Sequence, residues 1–224
     1  MYQIIRKIGK SYLLNSFHLC IQIQKILISL YLTIKRGETI FICGGNGSGK
    51  TTFIKVLLGL YSATKGDVYL DNNKVVDTRS SNYRSLFSSI FSDSYVFEHF
   101  LTKSGECATN DIVNKYLHQF KLDDVVDVKN GKLTNIELSS GQRKRIAMIQ
   151  ALLDDASIYI FDEWPAEQDP VFRNYFYDQL LPELKSKHKT IIVISHDERY
   201  FDLADKLYRF YDGQVRMENH KGNP

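Results

Sequence analysis

A glycine-rich segment restricts the fold of this chain more than any other feature of its sequence. Residues 44–51 read GGNGSGKT and fill every fixed position of the pattern G-x-x-x-x-G-K-[S/T]. The apolar run 39–43 predicts a buried strand before this segment, and residues 50–60 predict a helix after it. Glycines let main-chain N–H groups turn inward, and a helix N-terminus favours negative charge. The segment therefore predicts a loop that wraps the phosphates of a nucleotide.

The side chains of this loop suit ATP together with Mg²⁺. Lys50 is expected to neutralise the β- and γ-phosphates, and the hydroxyl of Thr51 to reach the metal ion. The alternative is a glycine-rich turn without function, and the predicted strand and helix on either side argue against it. The predicted nucleotide contacts in this loop are Gly44, Gly45, Asn46, Gly47, Ser48, Gly49, Lys50, Thr51 and Thr52.

Composition and charge exclude several other classes of protein. The net charge of +3, from 29 basic and 26 acidic residues, is too small to indicate a nucleic-acid partner. Cys20, Cys43 and Cys107 are widely spaced, which indicates a reducing compartment and neither a disulfide framework nor a zinc site. The apolar run 21–34 is interrupted by two glutamines and a lysine, so it predicts neither a membrane span nor a secretory signal. We therefore expect a cytoplasmic protein that contacts a membrane only through a partner.

Short apolar runs alternate with helical patterns along the chain, which is typical of a parallel sheet with helices on its faces. Further buried strands are predicted at 157–161, 190–194 and 206–211. Turn-forming residues inside 67–76 predict a hairpin. The serine-rich stretch 80–94 has apolar residues between its serines and is expected to be folded.

Between residues 95 and 137 the pattern becomes helical and predicts no buried strand. Residues 111–120 predict one helix there, with Ile112, Tyr116 and Phe120 at four-residue spacing. This change of pattern predicts a small helical lobe inserted into an α/β core.

The predicted strand 157–161 ends in two adjacent carboxylates, Asp162 and Glu163. A parallel strand carries such groups to the carboxyl edge of the sheet, beside the phosphate loop. Asp162 is expected to hold Mg²⁺, and Glu163 to orient or deprotonate the attacking water. An apolar run ending in Asp-Glu is common where a strand meets solvent, and the phosphate loop favours the functional interpretation.

Residues 138–142, LSSGQ, precede a predicted helix and resemble the LSGGQ signature of ATP-binding cassettes. Taken alone, the segment is an ordinary helix N-cap; its place before the Asp-Glu strand makes it informative. Ser140 replaces the usual glycine at the third position. The resemblance implies that Ser139, Gly141 and Gln142 of one cassette close over the ATP held by a second one. It also implies a homodimer.

Two further residues match the ATP-binding cassette family. Asp169 lies seven residues after Asp162, at the position of the family's D-loop aspartate, which implies a contact to the nucleotide. His196 follows the predicted strand 190–194 and matches the family's switch histidine, which contacts the γ-phosphate. Glu163, His196 and Lys50 are thus the implied catalytic residues.

The family resemblance also implies a fold. This fold is a P-loop NTPase (RecA-like) core with a mostly parallel sheet, an N-terminal antiparallel β portion and an inserted helical lobe. The chain is expected to divide into four parts. They are a poorly matching N-terminal segment at 1–30, the first part of the ATP-binding core at 31–94, the helical lobe at 95–137, and the rest of the core at 138–224.

A narrower resemblance points to cyclic-peptide and siderophore-peptide exporters. It rests on GQRKR at 141–145, DEW at 162–164, QDPVFR at 168–173 and SHDERYF at 195–201. In this group Trp164 replaces the proline that usually follows the catalytic glutamate. The resemblance implies export of a peptide-like substrate through a membrane-spanning domain, which precedes the cassette in that group and is expected here to be separate or missing.

Two other functions remain open. One is a soluble ATPase of the cassette family without a transport role. The other is a nucleotide-binding module that has lost hydrolysis, and the presence of Lys50, Asp162, Glu163 and His196 argues against it.

Besides Ser140, two further positions depart from the family pattern. Ser92 stands where the family has the glutamine of its Q-loop, and the neighbouring Asp93 is the candidate to contact the metal ion instead. The adenine-stacking aromatic is expected near Cys20, where only Phe17 and Tyr12 are close, and both are out of register.

Tyr95, Phe97 and Phe100 follow the Q-loop position directly. Aromatic residues usually pack inside a protein, but three within six residues favour a partly exposed groove that receives a helix of the membrane domain.

Overall fold

The computed structural model describes residues 16–218, apart from 24–25, 64–65, 72, 94, 135–136 and 212–213. The strands are β1 (Ser16–Ile23), β2 (Ile26–Lys35), β3 (Thr39–Gly44), β4 (Val68–Leu70), β5 (Asn73–Lys74), β6 (Phe87–Ile90), β7 (Val128–Lys129), β8 (Lys132–Leu133), β9 (Ile158–Asp162), β10 (Thr190–Ile194), β11 (Lys206–Tyr211) and β12 (Gln214–Glu218). The helices are α1 (Lys50–Leu57), α2 (Ser81–Arg84), α3 (Asn110–Gln119), α4 (Ser140–Leu153), α5 (Pro170–Tyr175) and α6 (Leu181–Ser186). A π-helical turn, Phe176–Leu180, joins α5 to α6, and 3₁₀ turns span Trp164–Glu167 and Glu198–Leu203.

A six-stranded sheet forms the centre of the molecule, in the order β12-β11-β3-β10-β9-β6. Strands β11, β3, β10, β9 and β6 are parallel to one another, and β12 is antiparallel at one edge. All five residues of β9 and of β10 are buried, because helices cover both faces of a parallel sheet. The predicted strands 39–43, 157–161, 190–194 and 206–211 are confirmed within one residue at each end.

The two faces of this sheet contribute to two separate cores. On β9, Tyr159 and Phe161 pack with residues of α4, while Ile158 and Ile160 pack with residues of α1 and α2. Successive side chains of a strand point to opposite faces, so an uninterrupted apolar run is what such a position requires. None of the described helices has the length and apolar character needed to cross a membrane.

A second, antiparallel sheet has the order β2-β1-β4-β5. It contains the predicted hairpin 67–76, in which Tyr69 pairs with Lys74 and Leu70 with Asn73. It also provides the N-terminal antiparallel portion that the family resemblance implied. No family pattern is visible in the sequence before about residue 31, yet β1 pairs with both β2 and β4.

The region after residue 95 is helical only in part. The predicted helix 111–120 is present as α3. Of the residues predicted at four-residue spacing, Phe120 is buried and Tyr116 packs against the core, but Ile112 is 45% exposed. Val113 and Leu117 are buried as well. The short hairpin β7–β8 also lies here, and the sequence did not indicate it. Of its four paired strand residues only Leu133 is buried, so it is not a buried strand. The boundaries of the four predicted parts of the chain stay a prediction.

Strand β6 lies in the serine-rich stretch 80–94 and was not predicted. Its sequence is FSSI, and it pairs in parallel with β9 at the edge of the sheet. The buried hydroxyl of Ser88 donates a hydrogen bond to the carbonyl of Ala151 in α4. This bond satisfies a polar side chain inside an otherwise apolar layer.

Candidate functional site

Four segments with candidate functional residues leave the sheet at the same edge. The phosphate loop follows β3, Glu163 follows β9, His196 follows β10 after one residue, and Ser92 and Asp93 follow β6. These four strands are neighbours and parallel, so their carboxyl ends meet at one edge, where open α/β sheets bind their ligands. The fold therefore gathers the phosphate loop and the carboxylates as the sequence predicted.

The phosphate loop has a backbone that favours glycine at three positions. Gly44 has a φ of 141°, and a Cβ atom there would lie 2.1 Å from the carbonyl oxygen of Phe210 in β11. Gly47 has a φ of 76°, and Gly49, the N-cap of α1, has a φ of 101°. All three values lie in the range that L side chains rarely adopt. Nothing lies within 4 Å of a Cβ atom built on Gly45 or Gly47, so the loop is open at these two positions.

Two side chains of the loop are suited to hold phosphate. Lys50 is buried, and its Nζ donates to the carbonyl oxygens of Gly44 at 2.6 Å and Gly45 at 3.1 Å. The buried hydroxyl of Ser48 has no hydrogen-bond partner among the described residues. A buried ammonium group and an unpaired buried hydroxyl beside an open loop fit an anionic oxygen ligand.

Asp162 and Thr51 form the candidate metal site. Burial raises the pKa of the Asp162 carboxyl above its ordinary value, and a hydrogen bond from the Thr51 hydroxyl opposes this rise. These oxygen donors are of the kind that Mg²⁺ prefers. No group of three His, Cys, Asp or Glu side chains able to hold a metal exists in the described part of the chain. The pair therefore fits a Mg²⁺ ion that takes its remaining ligands from phosphate and water.

Glu163 and His196 form a pair at the open end of the site. The Nε2 atom of His196 lies 3.1 Å from Oε1 of Glu163, and both side chains are partly exposed. The N–H of Glu163 donates to the carbonyl of Ile194 in β10. Glu163 has a φ of 56°, a left-handed backbone that typically costs about 1–3 kcal/mol in a non-glycine residue and is frequent at active sites. The pair places a carboxylate and an imidazole where they can hold a water molecule.

The segment predicted as the signature begins α4 with a capping box. The N–H of Gln142 donates to the Ser139 hydroxyl at 3.3 Å, and the N–H of Ser139 donates to Gln142 Oε1 at 2.8 Å. Ser139 and Ser140 are exposed, and the space around Gly141 is open. Gln142 and Ser139 thus cap the N-terminus of α4 together, and Ser139 is exposed to solvent.

Asp169 is tied to α4 and not to the phosphate loop. It accepts a hydrogen bond from the N–H of Phe172 at 3.0 Å and forms an ion pair with Arg145 of α4. The guanidinium of Arg145 also lies 4.2 Å from the ring centre of Phe172. The sequence does not indicate Arg145, because its partner lies 24 residues later in the chain.

Trp164 has a structural role that explains its presence after Glu163. It is fully buried, and its Nε1 donates to the carbonyl of Lys144 in α4 at 3.1 Å. Its ring packs against Phe172 and Phe176. Trp164 therefore attaches the segment after the carboxylates to the helix that follows the signature.

Next to Asp93 the surface has a groove of about 930 Å³ between the end of β6 and α4. Tyr95 and Phe97 line it, are 75% and 64% exposed, and their ring centres are 5.4 Å apart. The side chain of Gln150 in α4 holds the main chain of Phe97 by hydrogen bonds to its N–H and its carbonyl. Phe100 is fully buried, so its predicted place in the groove was wrong.

The remaining predicted contacts are less well placed. Asp93 is exposed beside the groove, and its role as a metal ligand stays a prediction. Phe17 and Cys20 belong to β1, for which only the main chain is described. Tyr12 lies outside the described residues.

Comparisons with known proteins agree with this arrangement. A sequence model of the family described as "ABC transporter" matches residues 27–166. The ATP-binding protein SyrD of Pseudomonas syringae pv. syringae is 44% identical over 186 residues, which are 82% of this chain and 33% of SyrD. The chain thus spans about a third of the length of this relative.

Two solved structures share the fold. One is a bacterial Atm1-family ABC exporter with ATP bound, with a TM-score of 0.75 and 19% identity over 92% of this chain and 39% of the exporter chain. The other is a dimeric ATP-binding cassette in a post-hydrolysis state bound to ADP and Pi. It has a TM-score of 0.72 and 24% identity over 92% of this chain and all of that one.

Proposed function

The chain belongs to the ABC transporter family, and on this premise we propose that it is a nucleotide-binding domain that binds MgATP and hydrolyses it to ADP and phosphate. The observation that supports hydrolysis best is the contact between Glu163 and His196 at the same sheet edge as the phosphate loop. A module that only binds nucleotide does not need this pair.

Binding relies on the loop after β3. Its N–H groups, Lys50 and the Ser48 hydroxyl hold the phosphates, and Nζ of Lys50 exchanges the carbonyl oxygens of Gly44 and Gly45 for phosphate oxygens. Thr51 and Asp162 are the residues that would hold Mg²⁺, with Asp93 as a further candidate. When bound, the metal ion neutralises phosphate charge.

Hydrolysis requires a water molecule at the terminal phosphate. The water oxygen bonds to phosphorus while the bond from phosphorus to the ADP oxygen breaks. Glu163 accepts or orients the proton of this water, and His196 keeps the carboxylate in place through the 3.1 Å contact.

A second copy of the chain completes the site. Ser139 and Asp169 are exposed at least in part, and the space beside Gly141 is open. All three residues are therefore accessible to a partner. We assign these three residues, together with Gln142, to the nucleotide of the partner in a homodimer. A solved cassette of the same fold is dimeric and bound to ADP and Pi, which supports this assembly.

Replacing Lys50 by alanine tests binding. Lys50→Ala removes a charge-assisted hydrogen bond worth about 1.5–3 kcal/mol, so the affinity for MgATP should fall by about tenfold to a hundredfold. Titration with ATP followed by calorimetry measures this loss. Lys187→Ala is the control, since Lys187 forms an ion pair with Glu183 and not with residues of the loop. Equal affinities of the two variants would contradict the proposed site.

We further propose that the domain powers export of a peptide-like substrate through a membrane-spanning domain, which would hold it at the inner face of the cytoplasmic membrane. The resemblance carried by Trp164 and residues 168–173 supports this role, as does the groove with two exposed aromatic side chains. A soluble ATPase without transport is the second candidate, and nothing in the groove favours it.

Two substitutions in the groove distinguish these candidates. Tyr95→Ser with Phe97→Ser should release the chain from membranes that contain a cognate membrane domain, because the exposed rings no longer bury apolar surface on docking. Fractionation after co-expression measures the bound share. Leu60→Ser with Tyr61→Ser is the control, since both side chains are half exposed elsewhere on the surface. Unchanged membrane binding of the groove variant would contradict docking at this surface.

A further inference from the structure

The main chain is held on both sides of His196. The N–H of Ser195 donates to the carbonyl of Ile42 in β3 at 3.1 Å, and the Ser195 hydroxyl accepts a hydrogen bond from the N–H of Asp197 at 3.0 Å. Ser195 itself is buried. The serine hydroxyl thus closes a short turn around the histidine, and its position decides where the imidazole can reach.

One buried side chain contacts both ends of the segment 195–200. The hydroxyl of Tyr177 lies 3.1 Å from the hydroxyl of Ser195. The ring of Tyr177 stacks on that of Tyr200 with 3.7 Å between the ring centres and 12° between the planes. Tyr200 is held in turn by a hydrogen bond to Asn174 at 2.8 Å. Burial raises the pKa of Tyr177 to about 12, so its hydroxyl keeps its proton at neutral pH.

The local sequence explains how Tyr177 comes to lie there. It belongs to the π-helical turn Phe176–Leu180, just before Pro182. Proline has no N–H to donate to the carbonyl four residues earlier, and in an α-helix its ring crowds that carbonyl. A wider turn relieves this conflict, and such turns are frequent at functional sites. The proline therefore favours the turn from which Tyr177 faces Ser195.

We propose that Tyr177 is a positioning residue for His196. Its hydroxyl holds Ser195 and its ring holds Tyr200, so the imidazole stays within hydrogen-bond distance of Glu163. The inference rests on the proposed function, because the pair acts on the terminal phosphate only if the chain hydrolyses ATP. The ring of Tyr177 also packs against Phe41 of β3, whereas its hydroxyl is hydrogen-bonded to Ser195. A change that removes only the hydroxyl therefore acts on the segment 195–200 and leaves the ring contacts in place.

Tyr177→Phe in the full chain tests this role, since it keeps the stacked ring and removes only the hydroxyl. The kcat of ATP hydrolysis should fall by about threefold to tenfold, the effect of one ordinary hydrogen bond, while KM for MgATP stays unchanged. Ser195→Ala removes this contact and also the hydrogen bond from the Asp197 N–H, so its effect on kcat should be at least as large. The double variant should show no loss beyond that of Ser195→Ala, because the contact between Tyr177 and Ser195 is already absent there.

Tyr83→Phe is the matched control. It also removes a buried hydroxyl, which donates to the carbonyl of Leu57 at the end of α1 at 2.7 Å. Tyr83 and Tyr177 belong to different hydrophobic cores. Its kcat should equal that of the parent protein, which separates positioning from a general loss of stability.

The possible results distinguish the positioning role of Tyr177 from the proposed ATPase function. If Glu163→Gln abolishes hydrolysis but Tyr177→Phe keeps the parent kcat, or raises KM alone, the positioning role is wrong and the function stands. If the parent chain does not hydrolyse ATP, both are wrong. Should Tyr177→Phe not fold, Ser195→Ala is judged by the same criteria.

Discussion

Glu163→Gln is expected to lower the rate of ATP hydrolysis by about 10²- to 10⁴-fold, the usual contribution of a general base. The affinity for MgATP should stay within a factor of about three, because binding depends on the loop after β3 and not on this carboxylate. Glutamine has the same shape and can still accept a hydrogen bond from Nε2 of His196, so the local geometry is kept. ATP-bound dimers should therefore accumulate and be visible by size-exclusion chromatography with MgATP.

Glu198→Gln is the control for this change. Glu198 lies two residues after His196, and its partner is Arg209, so its loss should leave the rate of hydrolysis unchanged. A Glu163→Gln protein that hydrolyses ATP at the parent rate would exclude Glu163 as the base. One that remains monomeric with bound ATP would exclude the proposed dimer.

Trp164→Ala is expected to lower the free energy of unfolding by about 3–5 kcal/mol, as is typical when a buried large aromatic side chain is removed. The indole is fully buried between Phe172 and Phe176 and donates to the carbonyl of Lys144. Alanine leaves a cavity and removes the hydrogen bond from the indole, and both losses destabilise the fold. Chemical denaturation followed by fluorescence of the remaining aromatic residues or by circular dichroism measures the change.

Two further variants separate the contribution of the Trp164 ring from that of its hydrogen bond and provide an exposed control. Trp164→Phe keeps much of the ring volume and loses the hydrogen bond, so its cost should be about 1–3 kcal/mol. Val171→Ala, at a side chain that is 65% exposed, should change the free energy by at most about 0.5 kcal/mol. A Trp164→Ala protein as stable as Val171→Ala would show that the aromatic cluster does not hold this segment to α4.

Much of the core could be predicted because its determinants are local. Strands β3, β9 and β10 are continuous apolar runs, which a parallel sheet covered on both faces requires. Strand β6 could not be predicted in this way, since two of its four residues are serines. Its place depends on pairing with β9 and on the bond from Ser88 to α4, and neither is visible in a short stretch of sequence.

The same distinction between local and distant determinants applies to the residues of the candidate site. The phosphate loop and the Asp162-Glu163 pair each consist of adjacent residues, so the sequence locates them, while their roles in catalysis stay predictions. That Asp93 holds metal, and that Ser139, Gly141, Gln142 and Asp169 contact a partner's nucleotide, stay predictions. Only the tertiary structure shows that Tyr95 and Phe97 are exposed and that Phe100 is buried. The main chain at Phe97 is held there by the side chain of Gln150 in α4.

By itself, then, the sequence determined the loop that suits phosphate and the strand and helix on either side of it, because each depends on residues close together in the chain. The tertiary structure alone decided the contacts between Glu163 and His196, 33 residues apart, and between Tyr177 and Ser195, 18 residues apart. Such contacts depend on the register of β9 and β10 and on the turn before Pro182. Side chains meet there only after the sheet and its helices have packed, so no local pattern can encode them.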